Sequence, residues 1–269
     1  MLSIFHKEKE EKDQGPKKYK TGVVFSGGGT RGFAHFGVLK AMNEAGIAPD
    51  IICGVSAGAV AGALYADGMD PEEALDELTS QRLLKYIDFA IPRTGLIKLN
   101  GFEKAMKKLL KAQNYEDLNI PLKVFAVNIN SAEYHCFEEG PLAITIKASI
   151  SIPILFPPVK IDGEFYCDGG VINNFAVEPL VGNCERIIGV NVNPLGTQRN
   201  LNNLKKIAER TFQLNIRSHT LERKKLCDVF IEPDGIGNYG LLDMSSGKEV
   251  FKLGYEAAKK AFEEKGWGK

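Results

Sequence analysis

The pentapeptide Gly54-Val55-Ser56-Ala57-Gly58 sets a serine between two glycines, after a short apolar run and before an alanine-rich stretch. A serine hydroxyl becomes a nucleophile when a sharp strand-to-helix turn lifts it above a sheet. Glycines two residues to either side admit the crowded backbone of such a turn. A helix beginning at Ala57 would also aim amide hydrogens and the positive end of its dipole at the serine. Ser56 is therefore the candidate nucleophile, and Gly54 and Gly58 are the residues that permit its turn. The motif is short and built of common residues, so its weight comes from the strand and helix around it.

A second glycine cluster, Ser26 to Gly32 (SGGGTRG), also lies between an apolar run and a helical pattern. Gly27, Gly29 and Gly32 satisfy the spacing of a dinucleotide-binding loop, which requires a ribose-binding acid about 20 residues on, at the end of the next strand. Asp50 precedes that strand, and its far end carries Gly54, Val55 and Ser56 instead. The nucleotide reading fails there. At the same sheet edge as a nucleophile, Gly27, Gly28 and Gly29 have another use. Backbone amides free of side chains can approach a developing oxyanion, each such donor being worth ~100-fold to ~1000-fold in rate. Arg31 would stabilise negative charge or orient this loop; a structural ion pair is the plainer alternative.

A nucleophilic serine needs a base, most often histidine. The four histidines are His6, His35, His135 and His219. Ser56, Asp168 and His219 follow the chain order of an α/β-hydrolase triad, but the elbow of that fold follows several strands, and Ser56 follows only two. Asp168 itself is followed by Gly169 and Gly170, which let the chain turn tightly.

The elements that must position these groups alternate. Thr21 to Phe25, Ile51 to Cys53, Leu122 to Ile129, Arg186 to Val192 and Asp228 to Ile231 read as buried strands. Helical spacing covers Phe33 to Ala45, Ala57 to Ala66, Gly101 to Lys111, Leu142 to Ser151, Leu201 to His219 and Lys248 to Lys265. Asp70 and Pro71 read as the N-cap and first position of a further helix reaching Thr79. Glu133 to Phe137 reads as a hairpin neighbour, and Val159 to Cys167, turning at Asp162 and Gly163, as a tight hairpin that delivers Asp168. The expected class is α/β, a mostly parallel sheet with helices on both faces. Residues 1–19 are expected to be a charged, disordered tail, with six Lys against four acids in the first 20 residues, and 20–269 one catalytic domain.

Composition narrows the partners. Thirty-four basic and 34 acidic residues give a formal charge of +0, so no sequence-wide field favours nucleic acid. Five dispersed cysteines lack metal-ligand spacing, and neither metal nor cofactor is expected. No apolar run approaches the ~20 residues of a membrane span. The expected setting is the cytoplasm, with peripheral contact at the inner membrane face.

Taken together, SGGGTRG with the following FAHFGVL, then GVSAG, then SIPILFPP, then Asp168-Gly169-Gly170 resemble the bacterial patatin-like phospholipases. The resemblance runs in order from about Tyr19 to the C-terminal helix. It implies a three-layer patatin-like fold and a Ser-Asp dyad in place of a triad. Ser56 would be the nucleophile, Asp168 the base, and Gly27, Gly28 and Gly29 the oxyanion donors. It also implies acyl esters of phospholipids, lysophospholipids or related lipids as substrates. Thr30 and the run Asn173-Asn174-Phe175-Ala176, which lacks the family's usual proline, depart from the pattern. Ile150, Ile152, Ile154, Leu155 and Phe156 are candidates for an acyl channel, as are Leu83, Leu84, Tyr86, Ile87, Phe89 and Ile91, the latter group also for a cap or membrane contact. A protein that keeps this fold and binds lipid without turnover is the alternative of another class.

Overall fold

A computed structural model describes residues 16–80, 99, 101–153, 155–194, 201–202, 207, 210–211, 214, 220, 222–241 and 244–268. The expectations for the N-terminal tail up to residue 15, for the group at 83–91, for Ile154 and for His219 lie outside the described residues. So does most of the helix expected over Leu201 to His219.

The chain begins β1 (Tyr19–Phe25), α1 (Phe33–Glu44), β2 (Ile51–Val55), α2 (Ala57–Ala66) and α3 (Pro71–Thr79). The Asp70 carboxylate accepts the amides of Glu72 and Glu73, the N-cap that Asp-Pro announces in sequence. Then come α4 (Phe102–Leu109), β3 (Leu122–Asn128), β4 (Glu133–Phe137), α5 (Leu142–Ser149), β5 (Val159–Ile161) and β6 (Glu164–Asp168). Asp162 and Gly163, both at positive φ, make the two-residue turn between the last two strands. β7 (Cys184–Val190), β8 (Val229–Ile231) and α6 (Gly247–Glu264) complete the set.

β3, β2, β1, β7 and β8 lie side by side and parallel, while β4, β6 and β5 extend the sheet antiparallel. Alternate residues divide the strands between two cores, as a sheet covered on both faces requires. Val23, Phe25, Ile52, Val124, Ile188 and Val190 join the larger core, with the buried faces of α1, α2 and α6. Val24, Ile51, Cys53, Val55, Phe125 and Ile187 face the other way, onto Phe175, Ala176, Val177 and Leu180. Among the described residues that second face is covered by this irregular segment with its short 3-10 turn at Glu178–Leu180.

The register along β3 brings two strand ends together. β4 occupies one edge of β3 along Val124–Asn128. The opposite edge is shared: β2 holds it up to Phe125, which pairs with Val55, and β6 takes over from Ala126, which pairs with Asp168. The end of β2 and the end of β6 therefore meet head to head along one edge of β3.

Candidate active site

Ser56 follows Val55 at that meeting point. Its φ of 52° and ψ of −120° are strained for a side chain with a Cβ, the signature of a nucleophile elbow. A Cβ on Gly58 would stand 2.4 Å from the Phe25 carbonyl oxygen, and one on Gly54 would stand 2.5 Å from that of Gly58, so both flanking glycines are required by contact. The Ser56 carbonyl accepts the Ala59 and Val60 amides at 2.9 and 3.2 Å, which starts α2 directly at the elbow. Its own N–H donates to Ser149 Oγ at 2.8 Å, and Ser149 Oγ donates to the Phe125 carbonyl at 2.6 Å. Ser149 thus ties the elbow to the neighbouring strand.

Asp168, at the end of β6, is buried beside the Ser56 side chain and accepts a hydrogen bond from the Gly170 amide at 2.7 Å. Burial pushes its carboxyl up to about 7, against the opposing effect of the Ser56 side chain and the Gly170 amide. Its N–H is held by the Ser151 carbonyl at 3.0 Å. Gly169 lies close over the end of β3, where a Cβ would come within 2.6 Å of the Phe125 carbonyl oxygen.

The glycine loop crosses beside the serine. A Cβ on Gly27 would stand 3.0 Å from Ser56 Cβ and 2.4 Å from Asn174 Oδ1. The Gly27 N–H is committed to the Asn174 carbonyl at 3.3 Å, and the Gly27 carbonyl accepts the side-chain amides of Asn193 and Asn174 at 2.5 and 3.3 Å. The Gly28 carbonyl accepts the Arg31 N–H at 3.1 Å. Among the described residues, the N–H groups of Gly28 and Gly29 have no acceptor. Gly29, at φ 55°, leaves no room for a side chain against the Leu241 carbonyl. Gly32 packs on Ala57 Cβ. Arg31 is buried and donates through Nε to the Tyr239 carbonyl at 2.8 Å and through a terminal nitrogen to that of Gly237 at 3.2 Å. These two contacts fit the reading in which Arg31 orients the loop.

Ser56, Ala57 and Gly29 open into a cavity of about 160 Å³, several times the ~30 Å³ share of one water molecule. Its other walls are almost wholly apolar: Phe33 and Phe36 from α1, Val60 from α2, Leu78 from α3, Phe102 from α4, then Ile150, Ile152 and Phe156, with Leu241 and Met244 from the segment before α6. Three of the five residues expected at 150–156 therefore line it, while Leu155 packs on the core.

Neither described histidine with an ordered ring contact serves the serine. His35 is buried on α1, donates through Nε2 to the Ser26 carbonyl at 2.8 Å and is pushed down to about 4 by burial, against the effect of that bond. His135 packs between the rings of Phe137 and Tyr166.

Residues 23–181 of this chain match the profile described as patatin-like phospholipase, a span that contains the elbow, the glycine loop and Asp168. The chain belongs to the patatin-like phospholipase family. It is 31% identical over 183 residues to an uncharacterised NTE family protein of Mycobacterium tuberculosis, covering 67% of this chain and 51% of the relative. It is 28% identical over 276 residues to the lysophospholipase nte1 of Aspergillus fumigatus, covering 90% of this chain and 18% of that one. The chain thus spans about half the length of the mycobacterial relative, and far less of the fungal one. In fold it is similar to VipD from Legionella pneumophila, with a TM-score of 0.54 at 16% identity over 93% of this chain and 67% of that one.

Ser149, Asn174 and Asn193 hold the Ser56 turn and the glycine loop through contacts that the motifs do not announce. Ser149 reads in sequence only as the tail of a helix, and Asn193 lies 166 residues from the glycine it holds. Asn174 stands within the run that departs from the family pattern, which was the one local signal.

Proposed function

We propose that this protein is a serine lipid acyl hydrolase, in which Ser56 attacks a carboxylic ester and Asp168 serves as its base. The observation that carries the reading is the Ser56 side chain set beside the buried carboxyl of Asp168 at the wall of an apolar cavity.

A carboxyl held near pH 7 can both accept and return a proton at neutral pH. Asp168 takes the Ser56 proton as Oγ adds to the ester carbonyl, and the tetrahedral oxyanion meets backbone N–H groups. Of the three glycines expected there, Gly28 and Gly29 have amides with no acceptor among the described residues, whereas Gly27 acts by letting the loop approach the serine. The Ala57 N–H, first of α2 and without an acceptor in its own helix, is a third donor. The protonated Asp168 then gives its proton to the leaving alcohol. In the second half the same carboxylate draws a proton from water, which hydrolyses the acyl-enzyme and frees Ser56.

The apolar walls suit a fatty acyl chain, and with the family they support phospholipids, lysophospholipids or related lipids as substrates. Such lipids reside in a bilayer, so the protein meets a membrane surface peripherally; no helix among the described residues is long and apolar enough to cross one.

The test is hydrolysis of a lipid panel and of nitrophenyl esters, with fluorophosphonate labelling. Wild-type protein should turn over acyl esters and be labelled at Ser56, and Ser56→Ala and Asp168→Asn should each lose at least ~1000-fold in kcat. His219→Ala should retain activity. Wild-type turnover in both dyad variants would sink the dyad, loss of activity in His219→Ala would favour a triad, and lipid binding without any turnover would favour a non-catalytic lipid binder.

A further inference from the structure

The peptide joining Gly27 to Gly28 is trans, so its carbonyl and its N–H point in opposite directions. Whatever grips the Gly27 oxygen fixes the direction of the Gly28 N–H. Two side-chain amides grip it, both buried and both brought from far along the chain.

Asn174 lies six residues past Asp168, on the turn that leaves β6. Its carbonyl accepts the Gly27 N–H while its side chain donates to the Gly27 oxygen, so it satisfies both polar groups of that glycine. Asn193 follows the end of β7, and its backbone N–H donates to Asn191 Oδ1 at 3.4 Å. Asn191 is in turn bonded through Nδ2 to Glu232, beyond the end of β8. The Ser26 carbonyl and hydroxyl immediately before are likewise fixed, by His35 Nε2 and the Val192 amide at 2.8 and 3.0 Å. The glycine loop is therefore not a free hairpin of three flexible residues. Its first peptide is pinned from behind by donors on the segments that follow β6 and β7.

Resting on the proposed reaction, we infer that Asn174 and Asn193 are positioning residues for the oxyanion donor at Gly28. Pre-set dipoles stabilise a transition state because they need no reorganisation when charge develops. A glycine peptide without its grip can rotate, since glycine populates several backbone wells at little energy, and the donor is then aimed correctly only part of the time. Asn174 also follows Asp168 by six residues, so one segment both carries the base and holds the donor loop.

The experiment is kinetic. Asn174→Ala, Asn193→Ala, the double variant, and the isosteric Asn174→Asp and Asn193→Asp are compared with wild type on a nitrophenyl ester. Their fluorophosphonate labelling rates, pH profiles and melting temperatures are recorded as well. Each alanine variant should lower kcat by about 10-fold and the double variant by about 100-fold or more, approaching the loss of one oxyanion donor. KM should stay within about 2-fold, labelling should slow in parallel with kcat, and the pH midpoint set by Asp168 should not move. The aspartate variants keep the shape but replace the donor with an acceptor that repels the Gly27 carbonyl, and should lose at least as much as alanine. Folded variants with wild-type kcat and labelling rates, or losses that follow melting temperature alone, would overturn the inference while leaving the reaction intact. A wild-type protein whose turnover does not depend on Ser56 would overturn both.

Discussion

Ser149 and Ser56 are joined by a single short hydrogen bond, from the Ser56 N–H to Ser149 Oγ at 2.8 Å, across 93 residues of sequence. The same oxygen donates onward to the Phe125 carbonyl at 2.6 Å, so one hydroxyl satisfies two backbone groups that the elbow would otherwise bury unpaired. Without it, the strained turn at Ser56 would rest on its helix alone.

Ser149→Ala leaves a buried N–H and a buried carbonyl without partners, each costing about 1–3 kcal/mol. We expect a lower melting temperature and, because the elbow loosens, a drop in kcat on the order of 10-fold. Thermal melts and steady-state kinetics on one preparation check both; unchanged kcat in the folded variant would show that the bond serves stability only.

In the proposed reaction Asp168 acts as base only when ionised, and burial pushes its carboxyl up to about 7. The kcat/KM profile should therefore fall tenfold per pH unit below about 7 and level off above it. Stability runs the other way. Folding raises this carboxyl from 3.8 to about 7, so the native state binds its proton more tightly than the unfolded chain. The stabilisation is complete below pH 3.8 and is lost as pH rises to about 7. Asp168→Asn abolishes that loss: at pH 8 it should melt higher than wild type, by up to about 4 kcal/mol in stability, and the gap should narrow steadily on going to pH 5. A constant gap across that range would contradict the raised carboxyl.

Arg31 holds the carbonyls of Tyr239 and Gly237 through two nitrogens of its planar fork. A lysine carries the charge but lacks the fork. Arg31→Lys should therefore lose nearly as much as Arg31→Met, on the order of 1–3 kcal/mol in urea unfolding. Full stability in the lysine variant would assign the role to charge and not to the paired carbonyls.

Val60 lines the cavity one turn of α2 beyond Ser56. Val60→Trp should narrow the chamber and depress turnover of long-chain nitrophenyl esters at least tenfold relative to short-chain ones, measured as a ratio of kcat/KM values. An unchanged ratio would place the acyl chain elsewhere.

By itself the sequence determined the local turns and caps and most of the elements. Glycines flanking Ser56, the Asp70-Pro71 cap, the Asp162-Gly163 turn and the alternation of apolar runs with helical spacing are each written within a dozen residues, because turns, caps and amphipathic faces follow from backbone sterics and side-chain period. Tertiary structure alone decided that β6 succeeds β2 along one edge of β3, putting Asp168 against Ser56. It also chose Ser149, Asn174 and Asn193 as the groups that hold the elbow and the glycine loop. Register and strand order are settled by how whole faces pack and by which buried polar groups find partners. No short window of sequence contains that information, since the partners stand 93 to 166 residues apart.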